Sequence, residues 1–320
     1  MRQVKAFIIF LILLSNCPSL KAQSSDEANR NYQHEIFLNV DNDYPFATDK
    51  YYTAGQDLYY KFLISSKISF FNNNDSSKTI FSIHYGNKVF TPQNVDTEEF
   101  FFMDRPYCGW NFAGASVLNF RNKNAGTLFY VQLGLVGKVS GMGELQQWLH
   151  RTIGLYSIYG WDTQIQNEFV VNANVRHTRG FELGKKIEFV SATSVWVGTG
   201  SNKITEEITL RLFKFNALRE SSYMNANISR KNYSSRKSEF FLFTSLEANY
   251  VFSNIFIQGS LFDNPSQFTT SITPWLFAGK IGVQYSGGRI SSGFSITHLG
   301  RETPNVATFN YATASLAYRF

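Results

Sequence analysis

The sequence predicts an all-β protein: a transmembrane antiparallel β-barrel of about twelve strands, with a short helix in one extracellular loop. The end of the chain gives the first indication. From Asn310 onward the chain alternates, so that Tyr318 and Phe320 fall on one face of a strand and Arg319 on the other. A strand that ends the chain leaves an unpaired edge unless it closes a barrel by pairing with another strand. A terminal aromatic on such a strand is typical of bacterial outer-membrane barrels, whose strands face lipid on one side and a polar interior on the other.

The beginning of the chain gives the second indication. Arg2 and Lys5 precede a short apolar run at 6–14, and a polar run follows at 15–22. This is the layout of a secretory signal, with cleavage predicted after Ala22 or Gln23. The apolar run is much shorter than the roughly 20 residues that a membrane-spanning helix needs. We therefore expect a signal peptide at 1–22 and a single outer-membrane barrel domain at 23–320.

Charge and cysteine content narrow the class of protein. Removing the signal removes three of the 30 basic residues and none of the 24 acidic residues, so the net charge falls from +6 to 27 − 24 = +3. A charge that small does not indicate a nucleic-acid partner. Of the two cysteines only Cys108 would remain, which excludes an intramolecular disulfide. A mean hydropathy of −0.20 is compatible with an alternating barrel.

Strands dominate the composition and the local patterns. The 31 Phe and 17 Tyr residues favour strands, and clear alternation occurs at 57–64, 129–135 and 171–176. A soluble β-sandwich can show the same alternation, but the signal and the terminal aromatic favour the barrel. Single-chain bacterial barrels have an even number of strands. The pattern gives thirteen candidates, so we predict twelve and expect one miscounted interval between 186 and 263. The candidates are 34–42, 52–65, 78–90, 110–120, 126–138, 164–177, 186–199, 204–214, 239–251, 254–263, 275–286, 289–300 and 308–320.

Polar clusters far apart in the sequence are expected at one rim of this barrel. If the N-terminus is periplasmic, residues 41–43 and 52–55 lie at the outer ends of the first two strands. Residues 104–110 and 150–162 then lie in the next outer loops. The third loop, 139–163, has apolar residues at helical spacing, and Gly154 is expected to end this helix. We expect this helix to rest its apolar side on the barrel wall or in the lipid, with its polar edge facing the first two strands.

These clusters resemble the motifs of one family. Residues 40–55 read Val-Asp-Asn-Asp-Tyr-Pro-Phe-Ala-Thr-Asp-Lys-Tyr-Tyr-Thr-Ala-Gly, and residues 104–110 read Asp-Arg-Pro-Tyr-Cys-Gly-Trp. Gln146 and His150 follow, and then Gly-Trp-Asp-Thr-Gln-Ile-Gln-Asn-Glu at 160–168. In this order they resemble the motifs of the outer-membrane lipid A 3'-O-deacylases. Ala54 and Cys108 depart from the family's usual Asn and Ala.

The resemblance implies a calcium-dependent ester hydrolase that removes the 3'-linked acyloxyacyl group of lipid A from lipopolysaccharide. By motif position His150 would be the general base, and Asn42 and Asp43 would serve the calcium ion and the oxyanion. Thr53 and Gln146 would line the site. We expect a monomer in the outer membrane whose partners are lipid A and membrane lipids.

The residue chemistry agrees with this function. A histidine supplies a base that titrates near neutral pH, with activity expected to rise through roughly pH 6–7. Carboxylate and amide oxygens are ligands that calcium prefers. The sequence contains no Gly-x-Ser-x-Gly, His-Glu-x-x-His or Cys-x-x-Cys motif. A water molecule activated by His150 is then the simplest nucleophile.

Other interpretations of the same residues stay open. The acidic run 41–43 can be a strand-end turn, 104–106 a structural salt bridge, and Trp161 an aromatic at the membrane interface. The basic stretch 219–237 would meet lipid phosphates only if it were extracellular. The remaining histidines would be solvated side chains; they are His34, His84, His177 and His298. The alternative function is a non-catalytic barrel, a small pore or an adhesin, whose rim binds only ions or solutes.

Overall fold

The protein folds as a closed antiparallel β-barrel. The computed structural model describes residues 32–46, 48–64, 77–95, 99–229, 238–262 and 265–320. In these residues twelve strands pair with their neighbours in sequence, and the last strand pairs with the first. The predicted signal peptide at 1–22 lies outside the described residues. The strands are β1 His34–Asn42, β2 Tyr51–Leu63, β3 Lys78–Thr91, β4 Cys108–Asn122, β5 Ala125–Val136, β6 Glu168–Glu182, β7 Ile187–Gly198, β8 Ser201–Lys214, β9 Glu239–Asn254, β10 Trp275–Gly287, β11 Ile290–Leu299 and β12 Phe309–Arg319.

The predicted number of strands is confirmed, and the miscounted candidate is 254–263. Asn254 ends β9, and its side chain accepts a hydrogen bond from the backbone N–H of Phe256. This hydrogen bond caps the one-turn helix α2, Ile255–Gln258, whose first three residues are buried. A short apolar run such as 255–257 has no alternation to separate a strand from a buried helix.

Side chains along each strand point alternately to the outer and the inner face of the barrel. In β5, Val131 and Leu133 point outward and are exposed, whereas Tyr130 and Gln132 point inward and are buried. The same division holds in the other stretches where the sequence predicted it. Exposed apolar side chains on the outer face and buried polar side chains on the inner face are the arrangement of a membrane barrel. Among the described residues, no helix is long and apolar enough to cross a membrane.

The terminal strand closes the barrel as predicted. The backbone N–H of Phe320 donates to the carbonyl of His34 at 3.0 Å, and the N–H of His34 donates to the carbonyl of Phe320 at 3.1 Å. The two rings stack with their centroids 5.6 Å apart. Arg319 points inward, where its guanidinium donates to the hydroxyl of Ser291 and forms an ion pair with Glu35. Both the main chain and the side chains therefore close the seam between β12 and β1.

The two ends of the barrel differ in their connections. The start of β1 and the end of β12 lie at one end, where the turns after β4, β6 and β10 are short and the connections after β2 and β8 are longer. The connections 92–107, 137–167 and 255–274 lie at the opposite end. Because outer-membrane barrels have short periplasmic turns and longer extracellular loops, the second end is the outer one.

Side chains cross the bore near both ends. At the outer end Tyr52, Phe90, Trp110 and Phe256 belong to one buried cluster. At the periplasmic end the segment 215–229 folds inward and buries side chains against β3, β4 and β7. A cavity of about 590 Å³ lies between the two clusters.

The position of the periplasmic segment answers a question that the sequence left open. Its residue Arg219 belongs to the basic stretch 219–237, and the amine of Lys78 donates to its backbone carbonyl at 2.8 Å. Arg211, which forms a buried ion pair with Glu188, also donates to the backbone carbonyl of Asn216 at 3.1 Å and so holds the start of the segment. The described part of this stretch is therefore periplasmic, which removes the condition for contact with outer-leaflet phosphates; residues 230–237 lie outside the described residues.

Deletion of Phe320 is expected to impair assembly of the barrel. The deletion removes two main-chain hydrogen bonds and the ring that stacks on His34, all at the closing seam. Folded barrels migrate faster on gels before heating than after, and this folded band should be lost or strongly reduced. Phe320→Tyr, which keeps the ring and the backbone, should retain it. A deletion variant with a full folded band in outer-membrane fractions would contradict the role of the terminal residue.

Candidate functional site

The loop between β5 and β6 contains the helix predicted from the sequence. This helix, α1, spans Met142–Ile153. Gly141 precedes it and Gly154 ends it, and both adopt left-handed backbone conformations with φ of 71° and 74°. Residues other than glycine rarely adopt such angles, so the two glycines define where the helix begins and ends.

Helix α1 lies against the outer surface of the barrel wall. Phe90 and Trp110 point into the bore, so their neighbours Val89 and Gly109 point outward. Val89 packs in one buried cluster with Met142 of the helix. A β-carbon added to Gly109 would come within 2.7 Å of the β-carbon of Met142. A glycine at this position therefore allows the helix to contact the wall closely.

Asp49 connects the helix to the loop between β1 and β2. Its Oδ1 accepts a hydrogen bond from the side-chain amide of Gln146 at 2.9 Å. Its Oδ2 lies 3.1 Å from Nε2 of His150 and accepts from the hydroxyl of Tyr156 at 2.9 Å. Gln146 is itself fixed, because its Oε1 accepts from the indole N–H of Trp161 at 3.1 Å. The predicted site residues Gln146 and His150 thus share one carboxylate.

The surroundings of His150 favour its charged form. Nδ1 lies 3.0 Å from the carbonyl oxygen of Tyr156, which can only accept, so this nitrogen carries a proton. Nε2 faces the carboxylate of Asp49, so a second proton is stabilised there. Burial opposes the charge, but the hydrogen bonds to Asp49 and Tyr156 outweigh it and raise the pKa of His150 above its ordinary value. His150 is only 8% exposed, so bulk water screens these contacts weakly.

Asn42 and Asp43 lie where β1 ends. Asp43 is buried and accepts hydrogen bonds from the hydroxyl of Thr48 at 2.8 Å and the backbone N–H of Lys50 at 3.0 Å. Burial and the nearby negative charge of Asp49 raise the pKa of Asp43 to about 8. The side-chain oxygen of Asn42 accepts from the backbone N–H of Tyr44 at 2.7 Å, as the strand-end turn interpretation predicted.

Thr53 is joined to Asp43 by a hydrogen bond between their backbones. The N–H of Asp43 donates to the carbonyl of Thr53 at 3.1 Å, and the Thr53 hydroxyl lies 3.4 Å from the carbonyl of Val89. The β2–β3 register shifts between Tyr52 and Ala54, which places Thr53 in a β-bulge. Of the predicted residues, the structure therefore brings together Asn42, Asp43 and Thr53. A second group contains Gln146 and His150, and loop residues 43–50 join the two groups.

Asp49 is the residue that the sequence analysis missed. It lies within the motif at 40–55, but only the residues at the strand ends were assigned roles. The signal in the sequence that indicates a role for Asp49 is its acidic side chain, close to Thr53 in that motif. The hydrogen bonds of Asp49 with Gln146 and Tyr156 join positions 97 and 107 apart in the sequence, which no local pattern reveals.

The chemistry of the donors fits a calcium ion at the end of β1. Calcium takes carboxylate, amide and backbone oxygens, and Asp43 and Asn42 supply the first two kinds. A buried carboxylate whose pKa is raised to about 8 is one that a bound cation would stabilise. Among the described residues, no group of three or more His, Cys, Asp or Glu side chains is placed to hold a metal ion. A calcium site here would therefore rely on amide and backbone oxygens as well.

Three other sequence interpretations have clear outcomes. The structural role of 104–106 is confirmed, because buried Arg105 pairs with Glu302 at 2.7 Å and ties two outer loops together. Trp161 is not an interfacial aromatic but is buried beside Gly143. The expectation that His84 is solvated is wrong, since it faces the bore and its Nε2 lies 2.8 Å from Asp57.

The fold and the site together define an outer-membrane β-barrel with a histidine–carboxylate cluster on the outside of its wall. The family model described as "Outer membrane protein LpxR" matches residues 7–320. The chain therefore belongs to the LpxR family of outer membrane proteins, which confirms the resemblance seen in the motifs.

One solved structure supports the fold. LpxR from Salmonella typhimurium is 18% identical, with a TM-score of 0.70, over 89% of this chain and 100% of that one. The β domain of the Bordetella autotransporter BrkA is 10% identical, with a TM-score of 0.47, over 91% of this chain and 99% of that one. No match is found among the curated proteins.

Titration of His150 tests the proposed influence of Asp49. The pKa of His150 should lie above the ordinary value of 6.5, and Asp49→Asn should lower it, because burial alone favours the neutral ring. NMR of histidine-labelled protein in micelles measures this, with the His150 signal assigned from His150→Gln. Asp162→Asn is the matched control, because the Asp162 side chain is 91% exposed. Equal pKa values in wild type and Asp49→Asn would contradict the contact.

Proposed function

We propose that this protein hydrolyses the 3'-linked acyloxyacyl ester of lipid A in the outer membrane. Membership of the LpxR family supports an outer-membrane role in lipid A modification. The observation that carries the proposal is the contact of His150 with Asp49, formed by a helix that packs on the outward face of the wall. A lipid in the outer leaflet approaches the barrel from that side.

In this proposal Nε2 of His150 is the basic nitrogen. Nδ1 is held by the carbonyl of Tyr156 and keeps its proton. The neutral ring takes a proton from water on Nε2, and the water oxygen bonds to the acyl carbon. The ester C–O bond then breaks, and the imidazolium returns the proton to the departing sugar oxygen. Because Asp49 Oδ2 lies 3.1 Å from Nε2, water must enter beside this carboxylate.

The remaining residues position these groups. Gln146 is fixed between Trp161 and Asp49, so it holds the carboxylate that contacts His150. Asn42 and Asp43 would hold the calcium ion, and Thr53 adjoins them through its backbone. When bound, calcium supplies positive charge for the oxyanion of the tetrahedral intermediate. We also propose that the protein works as a monomer.

The pore alternative gains no support from the described residues. Their side chains cross the bore near both ends, with Trp110 and Phe256 in the outer cluster and Leu218 in the periplasmic one. In the part of the chain that the structure describes, no specific contact favours an adhesin over a hydrolase.

Replacement of His150 tests the proposed base. His150→Gln keeps a similar size and hydrogen-bonding capacity but cannot accept a proton near neutral pH. Its turnover should fall by about 10²–10⁴-fold, the usual contribution of general acid–base catalysis. The measurement is release of the 3'-acyloxyacyl group from lipid A in detergent micelles with calcium present.

The control for that experiment is another histidine. His177→Gln changes an exposed side chain on β6 and should keep wild-type turnover. Wild-type activity should rise with pH as His150 loses its proton, and the raised pKa moves this rise above the ordinary 6.5. The residual activity of His150→Gln should lack that rise. If His150→Gln retains more than about a tenth of wild-type turnover, the assignment of the base is wrong.

Replacement of Asp43 tests the proposed metal site. Asp43→Ala, and to a smaller extent Asn42→Ala, should leave a folded barrel that binds calcium more weakly and has little activity. The reason is that neutral oxygens alone cannot replace the charge of a carboxylate ligand. Calorimetric titration with calcium is the measurement, with Asp162→Ala as an exposed control. Identical binding by wild type and Asp43→Ala would exclude Asp43 as a ligand.

A further inference from the structure

The apolar side of helix α1 packs on the wall at its first turn, through Met142, and is exposed at its later turns. The helix buries the polar side chains of Gln146 and His150, while Trp148, Leu149 and Ile153 are 53%, 40% and 60% exposed. A surface helix of a water-soluble protein has the opposite arrangement, with apolar residues inside and polar residues outside. Water is therefore an unfavourable neighbour for this side of the helix.

A third side of α1 carries charge. At about 3.6 residues per turn, Glu144, Gln147 and Arg151 lie on the side opposite the wall. Glu144 and Arg151 are exposed. The helix thus presents a polar side to the site, an apolar side and a charged side. Adjacent apolar and charged sides are typical of helices that lie in a membrane interface.

The part of the wall next to α1 indicates which surroundings contact the apolar side of the helix. Along the outward face of β3, Ile83 and Tyr85 are exposed, whereas Asn87 and Val89 are buried. Val89 is buried in the same cluster as Met142 of the helix. Residues in a strand are about 3.3 Å apart, so the buried Asn87 lies only two residues along β3 from the exposed Tyr85. The wall surface that is covered therefore begins directly above the surface that faces lipid. The helix therefore continues the lipid-facing surface of the barrel upward.

Aromatic residues after the helix agree with this position. Tyr156 and Tyr159 are 48% and 51% exposed, and the hydroxyl of Tyr156 donates a hydrogen bond to Asp49. Tyrosines concentrate where a membrane protein passes from hydrocarbon to headgroups, because the ring is apolar and the hydroxyl is polar.

We propose that the side of α1 formed by Trp148, Leu149 and Ile153 contacts the acyl chains of outer-leaflet lipids. The charged side then faces the headgroups and water. The inference goes beyond the proposed function, because it holds whether or not His150 acts as a base. It places the His150–Asp49 cluster at the level where ester bonds of membrane lipids lie.

Fluorescence quenching in vesicles tests the position of Trp148. The full chain is reconstituted in vesicles of phosphatidylcholine, with or without bromine atoms on the acyl chains, and is also titrated with aqueous iodide. Trp148→Phe should lose part of the quenching by brominated lipid and none of the quenching by iodide. Trp275→Phe is the matched reference, because Trp275 is exposed on the outer face of β10. The two losses should be similar in size.

Further variants keep the test decisive. Leu149→Ser combined with Ile153→Ser should reduce brominated-lipid quenching of Trp148 in a protein that keeps its folded band on gels. Arg151→Gln, on the charged side, should not. The proposal is overturned if Trp148→Phe loses only iodide quenching, which would place the helix in water. It is equally overturned if neither quencher reaches Trp148 and the protein is a dimer, because a second copy would then cover the apolar side.

Discussion

Closure of the hydrogen-bonded ladder is the constraint on which the rest of the structure depends. Lipid offers no hydrogen bonds, so the backbone of each strand must be paired by its neighbours, and only a closed barrel leaves no edge. Here the pairing of β1 with β12 meets that requirement, and Arg319 strengthens it from inside. Once the ladder is closed, each strand has one face in lipid and one in the bore. The bore is crossed by side chains near both ends, so the site is built from loops on the outside of the wall.

Much of the fold could be predicted because a strand repeats every two residues, and this signal survives in a single sequence. The outward Leu133 and inward Gln132 illustrate it. The helix was equally readable from its spacing and from Gly154. The pattern failed at 255–257, where consecutive apolar residues fit a strand or a buried turn of helix. It also failed at His84, whose burial depends on neighbouring strands rather than on its own position.

The candidate site could be predicted only in part, for a physical reason. Motifs identified the residues, but the structure depends on contacts between segments far apart in sequence. Asp49 shows this best, since one carboxylate accepts hydrogen bonds from Gln146 and Tyr156 and also faces His150. These contacts hold the polar side of α1 to the loop between β1 and β2. They also explain the raised pKa of His150, which composition and spacing cannot reveal.

The most direct test of the account is the fate of oxygen from water. Purified wild-type protein is incubated with lipopolysaccharide in ¹⁸O-labelled water, and the products are analysed by mass spectrometry. Hydrolysis by an activated water predicts a released acyloxyacyl acid that contains one labelled oxygen, and a lipid A whose 3'-hydroxyl is unlabelled. Intact lipid A, an acid without label, or label on the sugar oxygen would contradict the proposed chemistry.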